Sequence, residues 1–220
     1  MWAGSYEREL VHLFKRVLTP GMTVLDLGAN IGYFSVLAAG LVGNTGQVYA
    51  FEPDARCFAR LKKNLSAFSW AQAHSIAVGD QPGTARFYYR QKGDETGWGS
   101  LLLGKDNASS LETLVPVMSL DAWTCEQAIG RVDFIKMDVE GGEYRVLKGA
   151  EVLLSQHRPI IVAELNEVCL RRDHREPTDV LSILRAAGYD TFSFNDGVLG
   201  IPQDRGNQIG ALHAFARRPL

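Results

Sequence analysis

Near the N-terminus a strand runs directly into a glycine turn and then a helix, at Val24-Leu25-Asp26-Leu27-Gly28-Ala29-Asn30-Ile31-Gly32-Tyr33-Phe34-Ser35. Gly28, Gly32 and the small Ala29 would let a ligand approach the backbone closely at the carboxyl end of the strand. The same alternation continues. Thr23–Leu27 reads as a strand, Ile31–Leu41 as a helix and Gly46–Phe51 as a strand. Asp54–Phe68 reads as a helix opened by an Asp54 cap, and Ala73–Val78 as a third strand. A βαβαβ order implies a parallel sheet with right-handed crossovers, hence an α/β fold. An amphipathic helix precedes it over residues 7–18, with Leu10, Val11, Leu13, Phe14, Val17 and Leu18 on one face.

The middle of the chain breaks the rhythm. Thr84–Arg90 and Leu114–Met118 look like strands, separated by Gln91–Ser110 with Gly93, Gly97, Gly99 and Gly104. So long a stretch without periodicity inside a compact domain suggests a functional or mobile loop, read here as a lid over the acceptor, with Trp98 either its apolar tip or a core anchor. Alternation resumes with strand Val132–Met137, helix Gly142–Leu154, strand Pro159–Leu165, helix Thr178–Ala187 and strand Thr191–Asn195. A final strand is expected near Ala211–Ala216. No linker or repeat divides the chain, so residues 1–220 read as one domain.

Composition narrows the function classes. A formal net charge of −2 over 220 residues offers no basic face for a phosphate backbone, so no nucleic-acid partner is expected. Cys57, Cys125 and Cys169 are scattered, as reduced thiols of a cytoplasmic protein would be, and form neither a zinc pattern nor a disulfide framework. The first residues lack the apolar core of a signal peptide, and no apolar run reaches the ~20 residues of a membrane span.

The glycine turn is not a dinucleotide fingerprint, because Asn30 and Tyr33 occupy positions where G-x-G-x-x-G requires glycine. The remaining D-x-G-x-N-x-G resembles the first motif of class I methyltransferases that use S-adenosylmethionine (SAM). SAM has no pyrophosphate to cradle, but carries a cationic sulfonium and an amino group that Asp26 would favour. The bland reading is that Asp26 caps a loop and the glycines close a tight turn. Glu52 argues against it. It ends the second strand twenty positions after Gly32, where an acid bonds the ribose hydroxyls of an adenosine ligand.

Further stretches make the resemblance specific. Gly4–Glu7 (G-x-Y-E), Phe51–Pro53 (F-E-P), Ala77–Asp80 (A-V-G-D), Gly99-Ser100-Leu101 and Phe134–Gly141 (F-I-K-M-D-V-E-G), followed by Leu147–Ala150 (L-K-G-A), resemble the FkbM family of SAM-dependent methyltransferases. The resemblance covers residues 4–166. It implies a doubly wound, seven-stranded and mostly parallel sheet with its last strand antiparallel, SAM as methyl donor, and a hydroxylated small-molecule acceptor. Carried over by position, Asp26, Gly28, Asn30 and Gly32 would line the methionine end of SAM, and Ala29, Tyr33, Phe34 and Pro53 would join the donor site. Glu52 would bind ribose, and Ala77, Val78 and Asp80 would lie near adenine. Tyr6 and Glu7 would close the pocket.

A neutral alcohol is a poor nucleophile, so a base or a metal is expected beside it; a positioned base adds ~10²–10⁴-fold. The best-placed carboxylates are Asp138, ending the fourth strand beside the donor, and Glu140. Against this, Asp138 would only hold SAM, and Glu140 only cap the next helix. Asp138, Glu164 and Asn166 would supply oxygen ligands to Mg²⁺ if they converge, but a metal is not the favoured reading. Competing functions are an N-methyltransferase, a non-catalytic SAM-binding module and an NAD-dependent dehydrogenase. The first lacks its usual D/N-P-P-Y/F, since Asp138-Val139-Glu140-Gly141 stands there. Of the histidines, His12 and His213 read as surface or packing residues, and His174 as a solvated loop residue that a substrate would at most touch.

Overall fold

The computed structural model describes residues 5–90, 99–101, 110–194 and 196–205. Helix α1 (Ser5–Val17) leads into β1 (Thr23–Leu27), α2 (Tyr33–Val42), β2 (Gln47–Phe51), α3 (Ala55–Leu65) and β3 (Ala71–His74). Next come β4 (Ala77–Val78), β5 (Gly83–Arg90), β6 (Gly99–Ser100), β7 (Ser110–Met118) and α4 (Leu120–Glu126). The C-terminal part contains β8 (Phe134–Met137), α5 (Glu143–Lys148), α6 (Glu151–Gln156), β9 (Ile160–Glu164), α7 (Glu167–Leu170), α8 (Pro177–Ala186), β10 (Tyr189–Phe194) and β11 (Gly197–Pro202).

Seven of these strands form one sheet in the order β10-β11-β9-β8-β1-β2-β3. All its pairs are parallel except those that β11 makes with β9 and β10. The expected doubly wound sheet is therefore present. Its antiparallel strand is Gly197–Pro202, reached by a hairpin from β10; the segment Ala211–Ala216 and His213 lie outside the described residues.

Strand order reverses between β1 and β8. From β1 the chain moves outward to β2 and β3, and from β8 it moves the other way to β9. Loops leaving the carboxyl ends of such a pair diverge, and the crevice between them is where an open α/β sheet binds its ligand.

Both faces of the sheet are covered, which is why its strands are apolar on both sides. Val24, Val48, Phe134, Ile160 and Val162 pack under α1 and α2 with Leu10, Phe14, Ala38 and Val42. Leu25, Leu27, Ile135, Met137, Ile161 and Ala163 pack on the other face with Leu147, Leu154, Val180 and Leu184. Period-two alternation then places Asp26, Lys136, Asp138 and Glu164 on the first face, above its apolar layer, at the carboxyl edge.

Several expected boundaries move. The third strand splits: Ala71–His74 joins the main sheet, while Ala77–Val78 joins a second, four-stranded sheet in the order β4-β7-β5-β6. The pair expected over 84–90 and 114–118 is an antiparallel ribbon in that second sheet. The expected helix over 142–154 breaks in two at Gly149, whose added Cβ would stand 2.3 Å from the Gly79 carbonyl oxygen, so close packing ends α5 there. Helices α4 and α7 are additional. Within the expected lid, Gly99 and Ser100 pair with Tyr89 and Tyr88 as strand β6. Residues 91–98, with Trp98, and 102–109 lie outside the described residues.

Candidate active site

The turn after β1 is held in place by its neighbours. The N–H groups of Gly28 and Ala29 both donate to the Phe51 carbonyl, at 3.1 and 3.0 Å, fastening the turn to the end of β2. Gly28 has φ +71, and a Cβ there would fall 1.8 Å from the Asp138 carbonyl oxygen. Only glycine lets the first turn and the β8 end come this close. Gly32, at φ +93, caps α2 against Leu61. Asn30 also has a positive φ, +51, and its buried Oδ1 meets no hydrogen-bond partner.

Glu52 closes β2 and faces this turn. Its Oε2 accepts the Asn30 N–H at 2.8 Å, and Oε1 accepts the Asp54 N–H at 2.8 Å. Burial raises its pKa to about 7 in spite of these two bonds. Asp54, as expected, caps α3 through the Arg56 N–H.

Asp26 is 1% exposed, so its carboxylate lies buried beneath the β1 turn. Ser35 Oγ donates to its Oδ2 at 2.5 Å, and the Lys136 ammonium stands 3.5 Å from Oδ1. That ammonium also lies 3.3 Å from Asp138 Oδ2 and donates to the Gly28 carbonyl at 3.2 Å. Sequence reasoning does not single out Lys136. Its one signal is a lone charge inside Phe134-Ile-Lys-Met, because a charge in a buried strand requires partners.

On the far side of Asp138 the acids gather. Glu164 stands one strand over, and burial and the nearby Asp138 and Glu140 charges push its pKa up to about 8. Glu140 sits in the turn after β8 with φ +54 and receives the Cys169 thiol on Oε2 at 3.5 Å. Burial and Asp138 raise Glu140 to about 7. The turn is braced from below by Glu143, whose Oε1 accepts the Val139 and Gly141 N–H groups at 3.2 and 3.3 Å. Ser100 of β6 donates to the Glu140 carbonyl at 2.8 Å, bringing the second sheet against this turn.

The family profile described as "Methyltransferase FkbM domain" matches residues 26–191, from the Asp26 turn through the acids to β10. The chain belongs to the FkbM methyltransferase family. Among curated relatives, 2-O-methyltransferase NoeI of Sinorhizobium fredii is 28% identical over 162 residues, covering 69% of this chain and 65% of NoeI. The 31-O-demethyl-FK506 methyltransferase FkbM of Streptomyces tacrolimicus is 28% identical over 207 residues, covering 81% of this chain and 76% of that enzyme. The chain thus spans just under two thirds of NoeI. The crystal structure of methyltransferase FkbM from Methylobacillus flagellatus shares the fold, with a TM-score of 0.54 at 19% identity over 86% of this chain and 50% of that one.

As a member of the FkbM family, the chain brings most of the expected residues to one edge, in different roles. Gly28, Asn30, Glu52, Asp138 and Glu140 converge there. Ala29 is buried against Ala50 and Leu61, and Phe34 packs 5.2 Å from Phe14, so both support the turn from within. Tyr33, the first residue of α2 after the Gly32 cap, is 59% exposed. Pro53 is half-buried between Glu52 and the α3 cap, Ala77 and Val78 are buried in β4, and Asp80 beyond them is exposed. The side chains of Tyr6 and Glu7 lie outside the described ones. His12 and His174 are exposed.

Asn166 does not join Asp138 and Glu164 as a metal ligand. Its Oδ1 is committed to the N–H groups of Val168 and Cys169, at 3.1 and 3.2 Å, as the cap of α7. With the Lys136 ammonium on Asp138 as well, this oxygen set does not fit a divalent ion. Among the described residues, no group of three or more His, Cys, Asp or Glu side chains is arranged to hold a metal. No helix among them is long and apolar enough to cross a membrane.

Proposed function

We propose that this chain transfers the methyl group of SAM to a hydroxyl oxygen on a small metabolite. The observation that carries the reading is the meeting of a glycine-turn cradle with a group of acids at one switch point. Gly28, Asn30 and Glu52 form the cradle; Asp138, Glu140 and Glu164 line the other side.

The donor fits the residues present. Asn30 Oδ1 is a buried acceptor in want of a donor, and Glu52 keeps lone pairs free for ribose hydroxyls after accepting two backbone N–H groups. The carboxylate of Asp138, with Asp26 beneath it, suits the cationic amino-acid end. When bound, SAM supplies a methyl group on a cationic sulfur that leaves as a neutral thioether. The turn fixes the donor's position, and alignment of an incoming lone pair supplies much of the acceleration in such a displacement. Glu140 then takes the hydroxyl proton. Glu140, held near 7, is ionised in a large fraction at neutral pH and returns that proton readily to solvent.

Incubation with methyl-labelled SAM and a panel of hydroxylated metabolites tests the reading. Label should appear in an ether product, and calorimetry should show binding of S-adenosylhomocysteine (SAH) and none of NAD. NAD binding without a response to SAM or SAH would refute it, as would label transfer confined to amines.

A further inference from the structure

A lysine ammonium in the middle of a covered sheet is costly unless its charge is met. The Lys136 side chain is 4% exposed, and groups from three elements meet it. Asp26 comes from β1, the Gly28 carbonyl from the turn and Asp138 from the end of β8. Register explains the arrangement: Asp26 lies directly opposite Lys136 in the β1–β8 ladder, and Asp138 follows two residues later on the same face. The Phe34 ring, 5.7 Å from the ammonium, closes the remaining side.

Lys136 thus stands between two carboxylates, 3.5 Å from the buried Asp26 and 3.3 Å from Asp138, whose side chain is 31% exposed at the carboxyl edge. Glu164 stands beside Asp138 from β9, so Asp138 has the Lys136 ammonium on one side and a carboxyl group on the other.

We propose that Lys136 is the positioning residue of the donor site: by holding Asp26, Asp138 and the Gly28 carbonyl together, it presents Asp138 as an oriented carboxylate to the amino-acid end of SAM. This rests on the methyl-donor reading above. Adenosine recognition through Glu52 and Asn30 uses other hydrogen bonds, and the Lys136 charge is the smallest of the influences on Glu52, so the two halves of the ligand separate the role from simple support of the fold.

The experiment compares SAH with 5′-methylthioadenosine, which lacks the amino-acid end, on wild type and on Lys136→Met by calorimetry. Lys136→Met leaves Asp26 and Asp138 uncompensated. The double variant Asp26→Asn with Lys136→Met therefore serves as a second test protein, removing the buried pair together. In whichever variant folds, SAH affinity should fall at least tenfold while methylthioadenosine affinity stays within threefold. Equal losses for both ligands would make Lys136 a support of the whole turn, and undiminished SAH binding would remove its role; either overturns the inference. Wild type binding neither ligand would instead defeat the donor reading itself.

Discussion

The Glu52 carboxylate accepts the backbone N–H of Asn30 at 2.8 Å, joining the acid that ends β2 to the turn that follows β1. Two motifs twenty-two positions apart thus form one rigid unit, and the acid expected to meet ribose also fixes the residue whose buried Oδ1 awaits a donor.

That double role makes ligand binding depend on pH. Glu52 titrates at about 7 in the free protein, and ribose hydroxyls donating to it favour the ionised form. SAH affinity should rise with pH through about 7 and level off above. Glu52→Gln should weaken SAH binding by about 1.5–3 kcal/mol, the worth of hydrogen bonds to a charged group, and flatten this part of the profile. Calorimetric titrations at pH 6 and pH 8 check it. A slope that survives in the Gln variant would assign the titration to Glu140 or Glu164.

Gly28 and Gly40 differ in what an added methyl group would meet. At Gly28 the Cβ would collide with the Asp138 carbonyl at 1.8 Å, on a backbone with φ +71; at Gly40, exposed in α2, nothing lies within 4 Å. Gly28→Ala should cost roughly 2–6 kcal/mol, combining left-handed strain with overpacking. Gly40→Ala should stabilise by about 0.5–1 kcal/mol through helix propensity. Urea denaturation of both variants is the measurement. A Gly28→Ala protein as stable as wild type would mean that the β1 turn and the β8 end do not touch in this way.

What can be read in the sequence follows from how local each signal is. The β1 turn, Glu52 and Asp138 are legible because each ends a strand and directly follows an apolar run. The split of the third strand is not, since period-two patterning cannot say that Ala71–His74 and Ala77–Val78 enter different sheets. The break at Gly149 is hidden for a similar reason: the helical pattern runs through it, and the neighbours that leave room only for glycine there, Gly79, Asp80 and Ser119, are distant in sequence. Lys136 escapes notice because F-I-K-M reads as a core strand. Its meaning depends on Asp26, which is distant in sequence and which the fold places opposite it.

Glu143 supplies the last test, because it stabilises the acid-bearing turn at a cost that depends on pH. It is 1% exposed, and its Oε1 holds the N–H groups of Val139 and Gly141. Burial raises its pKa to about 7 in the folded protein, well above an exposed carboxyl. An acid whose folded pKa exceeds its unfolded one contributes stability that is fully present below the unfolded value, and that is lost as pH rises through the folded value. Glu52, Glu140 and Glu164 are shifted in the same direction, so wild type should lose stability between about pH 4.5 and pH 8. Glu143→Gln keeps the acceptor oxygen and removes the charge. At pH 5 the variant should match wild type within about 1 kcal/mol; by pH 8 the balance should shift in its favour by roughly 1–3 kcal/mol. Urea midpoints measured across this range decide it: curves that stay parallel from pH 5 to pH 8 would mean that Glu143 carries no shifted proton and that the turn is held by a permanently ionised carboxylate.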